Sequence, residues 1–208
     1  MTHPVVLVTG GSRGIGAATA VLAAKHGYDV VFSYQSNVKA AEEVAQQIRA
    51  TGRKALAVQA DVSVEADVLR LFKTVDQQMG RLDALVNNAG MLEKQTRLDQ
   101  MDVGRWNRVL GANVIGTFLC AKEAVLRMST KYGGKGGSIV NISSAASRLG
   151  SPNEFIDYAA AKGAVDSMTL GLAKEVATEG IRVNAVRPGL IYTDIHASAG
   201  EPGRRRKS

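Results

Sequence analysis

The strongest constraint on the fold is a repeated alternation of short apolar runs with amphipathic stretches. The runs are rich in Val and Ile and largely apolar along their whole length, which is typical of strands covered on both faces. Strands that are separated by helices predict a parallel sheet, because a tight hairpin can join only antiparallel neighbours. We predict strands at residues 5–8, 30–32, 55–60, 82–86, 139–142 and 181–186.

The stretches between these runs repeat apolar residues at helical spacing. We predict helices at residues 17–26, 38–48, 64–75, 106–128 and 158–178. Gly27 closes the first helix, Ser63 is the expected N-cap of the third, and a break is expected near Gly111. Right-handed crossovers then give an α/β fold, a Rossmann-like doubly wound parallel sheet with helices on both faces in three layers.

The net charge of +7 raises the question of a nucleic-acid partner. More than half of this charge lies in residues 204–207, and a charge run at a terminus is typical of a solvated tail. We therefore predict one domain over residues 1–198, a disordered basic tail over 199–208, and no nucleic-acid partner. The alternative, a basic nucleic-acid-binding protein, predicts salt-sensitive retention on DNA.

Cys120 is the only cysteine, and its place in an apolar helical stretch predicts a buried thiol that forms no internal disulfide. No apolar run is long enough to span a bilayer, and the N-terminus lacks a signal-peptide pattern. These patterns predict a cytoplasmic protein with no membrane partner. His3, His26 and His196 are scattered without metal-ligand spacing, so no metal site is predicted.

A glycine-rich turn follows the first predicted strand and opens the first helix. Its spacing, from Gly10 through Gly14 to Gly16, is G-x-x-x-G-x-G. Glycines in such a turn let backbone N–H groups approach a pyrophosphate at a helix N-terminus. Tight turns alone also produce this pattern, but its place in a strand–helix–strand unit favours a dinucleotide site. The residues predicted to bind the cofactor here are Gly10, Ser12, Arg13, Gly14, Ile15 and Gly16.

The end of the second strand indicates which dinucleotide binds. An NAD site places an acidic residue there for the ribose hydroxyls, whereas residues 32–37, which include Tyr34, hold no carboxylate. Arg13 in the turn can pair with the 2′-phosphate of NADP; the alternative is that Arg13 is an ordinary surface charge. These features predict NADP(H) in preference to NAD(H).

Two further motifs follow in order, Asn87-Asn88-Ala89-Gly90 after the fourth strand and Tyr158-Ala159-Ala160-Ala161-Lys162 near the start of the last helix. Together with the glycine turn they resemble the short-chain dehydrogenase/reductase family, from Val5 to about Ser198. Within it, the chain is most similar to sugar dehydrogenases of the glucose 1-dehydrogenase kind and to 3-oxoacyl-[acyl-carrier-protein] reductases. The resemblance implies hydride transfer between a nicotinamide cofactor and a carbonyl or secondary alcohol.

The resemblance also assigns residues by position. Asn113, Ser144, Tyr158 and Lys162 match the family's catalytic residues, and Ser143 is the competing serine. Ser144 lies 14 positions before Tyr158, one more than is commonest in the family. Residues 183–189 match the segment that lines the nicotinamide. Further cofactor contacts are implied at Asp61, Val62, Asn88, Ala89, Gly90, Tyr158, Lys162, Pro188, Gly189, Ile191 and Thr193.

Tyr158 and Lys162 are four residues apart, so a helix places both side chains on one face. A free tyrosine has a pKa of about 10, and lowering it by roughly 3 units takes about 4 kcal/mol. We expect the Lys162 ammonium and the oxidised nicotinamide to supply this, so that Tyr158 exchanges a proton with the substrate oxygen. By the resemblance, Ser144 orients that oxygen, Lys162 also binds the nicotinamide ribose, and Asn113 holds a water linking Lys162 to solvent.

Family members continue beyond the position of Thr193 through two helices and a seventh strand. We therefore expect a C-terminally truncated chain that lacks the last strand, with an exposed sheet edge and poorer closure over the substrate. The predicted function is an NADP-dependent oxidoreductase; the alternative is a truncated, catalytically impaired NADP(H)-binding protein. Measured NADP(H) binding without turnover favours the alternative.

The expected partners are a small carbonyl or alcohol substrate and further copies of the chain. The long helices around residues 113–128 and 158–178 are expected to form a homodimer or homotetramer. The substrate itself is not identified by the sequence. The residues expected at the edge of its pocket are Ala145, Asn153, Glu154, Ile191 and Tyr192.

Overall fold

A computed structural model describes residues 3–191, and six of its strands form one parallel sheet. The strands are β1 (Val5–Val8), β2 (Asp29–Tyr34), β3 (Ala55–Gln59), β4 (Ala84–Asn87), β5 (Gly137–Ile142) and β6 (Ile181–Val186). Their order across the sheet is β3-β2-β1-β4-β5-β6, which confirms the doubly wound prediction. Tyr192, Thr193, His196 and the basic tail at 199–208 lie outside the described residues.

Helices connect consecutive strands on both faces of the sheet. They are α1 (Gly14–Lys25), α2 (Val38–Arg49), α3 (Glu65–Met79), α4 (Val103–Leu110), α5 (Gly116–Met128), α6 (Ala146–Leu149) and α7 (Ile156–Glu175), with a π-helical segment at Gly111–Ile115. Short 3₁₀ turns lie at Leu98–Gln100, Thr130–Tyr132 and Ala177–Glu179. Within residues 3–191, β3 and β6 are the edge strands.

The sheet is buried on both faces because helices cover each side. Successive side chains of a strand point to opposite sides, so each strand contributes to both layers of the core. In β1, Val5 and Leu7 pack with α3, α5 and the end of α7, while Val6 and Val8 pack with α1 and α2. Each fully buried side chain of this size contributes roughly 1.5–3 kcal/mol relative to exposure. The uninterrupted apolar runs of the sequence therefore become the middle of three layers.

Helix starts differ from the predictions at four places, one of them being α4, which begins at Val103 and not at residue 106. Helix α1 begins at Gly14, within the glycine turn, and α7 begins at Ile156. Val64 occupies the N-cap position of α3 without a side-chain hydrogen bond, so the prediction of Ser63 as N-cap is wrong. The Ser63 hydroxyl is taken up by the carboxylate of Asp61 at 2.7 Å, which removes it from the helix end.

Gly111 marks a change of helix type and not a break. The N–H of Gly116 bonds to the carbonyl of Gly111, five residues back, which is the π-helical pattern. The chain thus stays helical from Val103 to Met128. Helix α6 was not predicted, because four residues are too few to show an apolar periodicity.

This continuous helix also corrects the expectation that no segment could span a bilayer. Val103–Met128 is long and apolar enough to do so by length and composition, and half of its most apolar window is buried inside the protein. Burial of that kind is expected of a core helix in a globular domain.

Candidate active site

The site lies at the carboxyl ends of β1, β4 and β5. Strand β1 has β2 on one side and β4 on the other, so the chain leaves neighbouring strands in opposite directions and a crevice opens between the loops. A cavity of about 1050 Å³ occupies this crevice, at the upper end of the roughly 300–1,000 Å³ of small-molecule sites.

Thr9 ties the glycine turn to the end of β4. Its hydroxyl accepts hydrogen bonds from the backbone N–H groups of Asn88 and Ala89, both at 3.0 Å. The Asn88 side-chain amide donates to the carbonyls of Thr9 at 2.9 Å and Gly10 at 3.0 Å. On the other side, the Ser33 hydroxyl accepts from the Gly10 N–H at 3.1 Å. The turn is therefore held in shape from both neighbouring strands.

Glycine is required in this turn because a side chain would collide with neighbouring atoms and because the backbone adopts a left-handed conformation. A Cβ at Gly16 would lie 2.3 Å from the Gly10 carbonyl oxygen and 2.4 Å from Asn88 Nδ2. Gly10 and Gly14 have φ of +64° and +55°, in the left-handed region that side chains disfavour. The N-terminus of α1, with Gly14 and Ile15, lines the cavity, so backbone N–H groups and the positive end of the helix face it.

Asp61 and Val62 follow β3 at one end of the cavity. The Asp61 carboxylate accepts from Gln35 Nε2 at 2.8 Å, the Ser63 N–H at 2.9 Å and the Ser63 hydroxyl at 2.7 Å. Burial acts to raise the pKa of Asp61, but these hydrogen bonds outweigh it and lower the pKa below its usual value. The carboxylate is therefore a charged acceptor at neutral pH.

Arg13 and the end of β2 border the same part of the cavity. Arg13, Tyr34 and Gln35 all line it, and Arg13 is exposed. Asn37 caps α2, its Oδ1 accepting from the Ala40 N–H at 2.9 Å. The cavity lining here thus includes the cation of Arg13, the polar side chains of Tyr34 and Gln35, and the Asp61 carboxylate that Gln35 contacts.

Helix α7 brings Tyr158 and Lys162 to the opposite end of the cavity. Lys162 Nζ lies 5.5 Å from the centre of the Tyr158 ring and donates to the Ile142 carbonyl at 2.7 Å. Ser144, in the segment after β5, lies close enough to the Tyr158 hydroxyl to lower its pKa. All three residues line the cavity. The structure therefore brings the segment after β5 and helix α7 together at one site, as the sequence suggested.

Ser143 and Ser144 take different positions. The Ser143 hydroxyl donates to the Lys162 carbonyl at 3.3 Å, and its residue is 2% exposed. Ser144 contacts the Tyr158 hydroxyl and accepts from the Ala146 N–H at 3.1 Å. Ser144 is thus the serine beside the phenol, while Ser143 packs against the helix backbone.

Asn113 lies fully buried in the π-helical segment. Its Nδ2 donates to the carbonyls of Val109 at 2.9 Å and Met91 at 3.0 Å, while its Oδ1 has no hydrogen-bond partner among residues 3–191. Gly90 makes room for this oxygen: a Cβ there would lie 2.5 Å from Asn113 Oδ1 and 3.6 Å from Lys162 Nζ. The unsatisfied acceptor and the lysine amine therefore both lie close to the space that a side chain at residue 90 would fill.

Burial dominates the acid–base properties of the two α7 side chains. It raises the pKa of Tyr158 above its usual value, opposed by the hydrogen bond from Ser144. It lowers the pKa of Lys162 to about 8, opposed by the carboxylate of Asp166. In the protein alone, desolvation of the phenolate is the largest effect on the tyrosine pKa, whereas the expected lowering depends on the oxidised nicotinamide as well as on Lys162.

Most predicted site residues meet in the cavity wall. Those that line it are Gly10, Ser12, Arg13, Gly14, Ile15, Tyr34, Asp61, Val62, Asn88, Ala89, Gly90, Ser144, Tyr158, Lys162, Pro188, Gly189 and Ile191. Gly16 packs beneath the turn and Asn113 behind Gly90. Thr193 lies outside the described residues.

Several lining residues were not predicted. Leu92 and Phe155 pack with Tyr158 in a small apolar cluster, and nothing in their sequence neighbourhood distinguishes them from ordinary core residues. Of the residues expected at the pocket edge, Ala145 and Ile191 line the cavity, whereas Asn153 and Glu154 do not. Among residues 3–191, no three His, Cys, Asp or Glu side chains form a group able to hold a metal ion.

Comparison with known proteins decides the class. A family model described as short chain dehydrogenase matches residues 4–203. The chain belongs to the short-chain dehydrogenase family.

Relatives of this short-chain dehydrogenase include the uncharacterized oxidoreductase YgfF of Escherichia coli, 58% identical over 200 residues, covering 96% of this chain and 81% of the relative. A 3-oxoacyl-[acyl-carrier-protein] reductase of Synechocystis is 44% identical over 195 residues, covering 94% of this chain and 77% of the relative. A short-chain dehydrogenase from Burkholderia cenocepacia, solved in complex with NADP, superposes with a TM-score of 0.85 at 36% identity, covering 93% of this chain and 79% of that one. The predicted family is confirmed.

Proposed function

We propose that this short-chain dehydrogenase is an NADP(H)-dependent oxidoreductase that transfers a hydride between nicotinamide and a carbonyl or secondary alcohol. Tyr158 is its general acid and base. The observation that carries the proposal is the meeting of Tyr158, Ser144 and Lys162 at one end of a cavity whose other end is the glycine turn.

The cavity fits a dinucleotide. At the turn, a side chain at Gly16 would collide with backbone, and the N-terminus of α1 offers N–H groups to a pyrophosphate. Asp61 and Val62 would border the adenine, Asn88 to Gly90 its ribose, and Pro188, Gly189 and Ile191 the nicotinamide. The bound cofactor supplies the hydride.

The chain's own residues handle the proton. Because burial raises the pKa of Tyr158, the phenol is protonated at neutral pH and donates its Oη proton to the substrate oxygen during reduction. The Ser144 hydroxyl, close to that phenol, is placed to orient the same oxygen. The Lys162 ammonium stabilises the phenolate that remains, and in alcohol oxidation the proton returns to it.

Asn113 and Lys162 would reprotonate Tyr158. An unpaired buried acceptor costs about 1–3 kcal/mol, and Asn113 Oδ1 is such an acceptor. A water between it and Lys162 Nζ satisfies both groups and passes protons to the lysine.

The preference for NADP(H) rests on charge. The end of β2 lacks the carboxylate that would repel a 2′-phosphate, and Arg13 borders the same part of the cavity. A guanidinium binds phosphate with two parallel hydrogen bonds. The NADP complex of the Burkholderia relative is consistent with this preference.

We also propose a cytoplasmic homo-oligomer. Its support is a set of exposed apolar side chains on the continuous helix Val103–Met128, formed by Ile115, Phe118 and Leu126, with exposed Lys122 between the last two. Burial raises the pKa of the Cys120 thiol to about 12, so this cysteine stays a neutral thiol and takes no part in the chemistry.

Replacing Tyr158 by phenylalanine tests the proposal. Tyr158→Phe keeps the ring but removes the proton donor, so kcat with NADPH and a carbonyl panel should fall about 10²–10⁴-fold while NADPH still binds. Tyr132→Phe, on an exposed tyrosine outside the cavity lining, is the control. An unchanged rate in Tyr158→Phe overturns the role of Tyr158. A wild-type protein that binds NADPH but reduces no carbonyl favours the catalytically impaired alternative.

A further inference from the structure

Arg105 and Asp157 form an ion pair inside the protein that the proposed function does not use. Arg105 belongs to α4, and Asp157 directly precedes Tyr158 on α7. Arg105 Nε lies 2.6 Å from Asp157 Oδ2, and Nη2 lies 3.2 Å from Oδ1. The two side chains are 7% and 4% exposed. Two parallel contacts of this kind fix the direction of approach as well as the distance.

Asp157 caps the helix that carries the tyrosine. The N-cap residue of α7, Phe155, makes no side-chain cap, and the first N–H groups of a helix have no partner within it. Asp157 Oδ1 accepts from the Tyr158 N–H at 2.9 Å. This is the same oxygen that receives Arg105 Nη2, so the ion pair and the cap share an atom.

Arg105 also holds the loop that faces α7. Its Nη1 donates to the Lys94 carbonyl at 2.5 Å, and nearby the Thr96 N–H donates to the Glu154 carbonyl at 3.0 Å. One guanidinium therefore joins α4, the segment after β4 and the first turn of α7. We call this set of contacts, made by Arg105 to Asp157 and Lys94, the Arg105 clamp.

We propose that Arg105 and Asp157 are positioning residues that set the direction of the Tyr158 hydroxyl toward the cavity. The inference rests on the proposed function, in which Tyr158 moves the proton. Tyr158 lies in the first turn of α7, and helix ends fray unless their N–H groups are satisfied. Small displacements of a reacting group reduce rates by up to about 100-fold, so a fixed first turn bears directly on catalysis.

Substitutions at the pair test the clamp. Asp157→Ala removes both the cap and the partner of Arg105, and kcat should fall about 10- to 100-fold while the Kd for NADPH stays as in the wild type. Asp157→Asn keeps an oxygen that accepts from the Tyr158 N–H, so it should retain more activity. Arg105→Lys keeps the charge but not the two-contact geometry, and kcat should fall to an intermediate value.

The chain offers a control pair with similar contacts at a more exposed place, since the Arg127 and Asp76 side chains are 21% and 49% exposed. Arg127 on α5 contacts Asp76 on α3 through Nε at 2.8 Å and Nη2 at 2.7 Å, and its Nη1 donates to the Glu123 carbonyl at 2.9 Å. Neither Arg127 nor Asp76 lines the cavity. Arg127→Lys and Asp76→Ala therefore remove the same kind of contact elsewhere, and kcat should be unchanged.

Hydrogen exchange measured by mass spectrometry provides a readout that does not need turnover. Backbone amides at residues 157–160 should exchange faster in Asp157→Ala and Arg105→Lys than in the wild type. In the Arg127 and Asp76 variants, the exchange rates of these amides should equal those of the wild type. The clamp is overturned if exchange at these amides is unaltered, or if kcat falls equally in the control pair. A wild type without carbonyl reduction rejects the proposed function instead, and leaves the exchange result to decide the clamp.

Discussion

Tyr158 and Lys162 lie one helical turn apart, and burial favours the neutral form of each. The pKa of Tyr158 is raised by burial, and that of Lys162 is lowered by burial to about 8. Ser144 opposes the first effect by lowering the pKa of Tyr158, and Asp166 opposes the second by raising the pKa of Lys162. A protonated acid beside a lysine that titrates near neutral pH suits proton transfer in a site that must also regenerate the acid.

Asp166 should set the pH at which reduction fails. A depressed lysine pKa means that the ammonium is present below about pH 8 and lost above it, so reduction should decline as the pH rises through this value. Asp166→Asn removes a carboxylate that raises the pKa of Lys162, and the decline should move to lower pH, by up to about one unit.

The measurement is kcat for carbonyl reduction from pH 6 to pH 10, with Asp76→Asn on α3 as the control carboxylate. A decline that stays in place in Asp166→Asn, or moves to higher pH, contradicts the electrostatic link between Asp166 and Lys162.

The ends of the strands place the parts of the site. Strand β1 ends in the glycine turn, β2 ends at Tyr34 beside Arg13, and β5 ends just before Ser144. Because all six strands are parallel, these ends meet at one edge of the sheet. A change at the last residue of one strand should therefore alter one part of cofactor recognition and leave the others intact.

Tyr34→Asp should reverse the preference between cofactors. A carboxylate at the end of β2 accepts hydrogen bonds from ribose hydroxyls and repels a 2′-phosphate. The ratio of kcat/KM for NADPH to that for NADH should fall at least about tenfold, equivalent to roughly 1.4 kcal/mol. Tyr34→Asn is the control, since it has the same shape as the aspartate without its charge. Equal ratios in Tyr34→Asp and Tyr34→Asn would show that charge at this position does not select the cofactor.

The described molecule is a three-layer unit that leaves apolar side chains exposed on a long helix. The helix Val103–Met128 is half buried over its most apolar window, yet Ile115, Phe118 and Leu126 are 50%, 49% and 43% exposed. Apolar side chains aligned on a surface helix commonly mark an interface between subunits.

Phe118→Glu should weaken self-association. The substitution replaces an exposed apolar side chain with a charge that is costly to bury, so the mass measured by light scattering should fall toward that of one chain. Leu22→Glu, on an exposed leucine of α1 in the opposite layer, should leave the mass unchanged. A wild-type mass equal to one chain at micromolar concentration argues against the proposed oligomer.

The periodicity of the sequence determined the order and kind of the main elements, because strands and helices repeat their apolar residues at different intervals. All six strands were predicted to within two residues at each end. The glycine turn and the pair Tyr158 and Lys162 were also evident in the sequence, since a left-handed turn restricts residue type and a four-residue spacing on a helix places two side chains together. Cap positions were predicted less well, as Ser63 shows, because a side chain can bond to a carboxylate instead of a helix end.

Only the tertiary structure decided which distant side chains meet. Arg105 and Asp157 are 52 residues apart, and Thr9 and Asn88 are 79 apart, so no local pattern links them. The raised pKa of Tyr158 likewise follows from packing, whereas Ser144 was already favoured over Ser143 by the family resemblance. Desolvation depends on everything that surrounds a group in space, and neighbours along the chain supply only part of those surroundings.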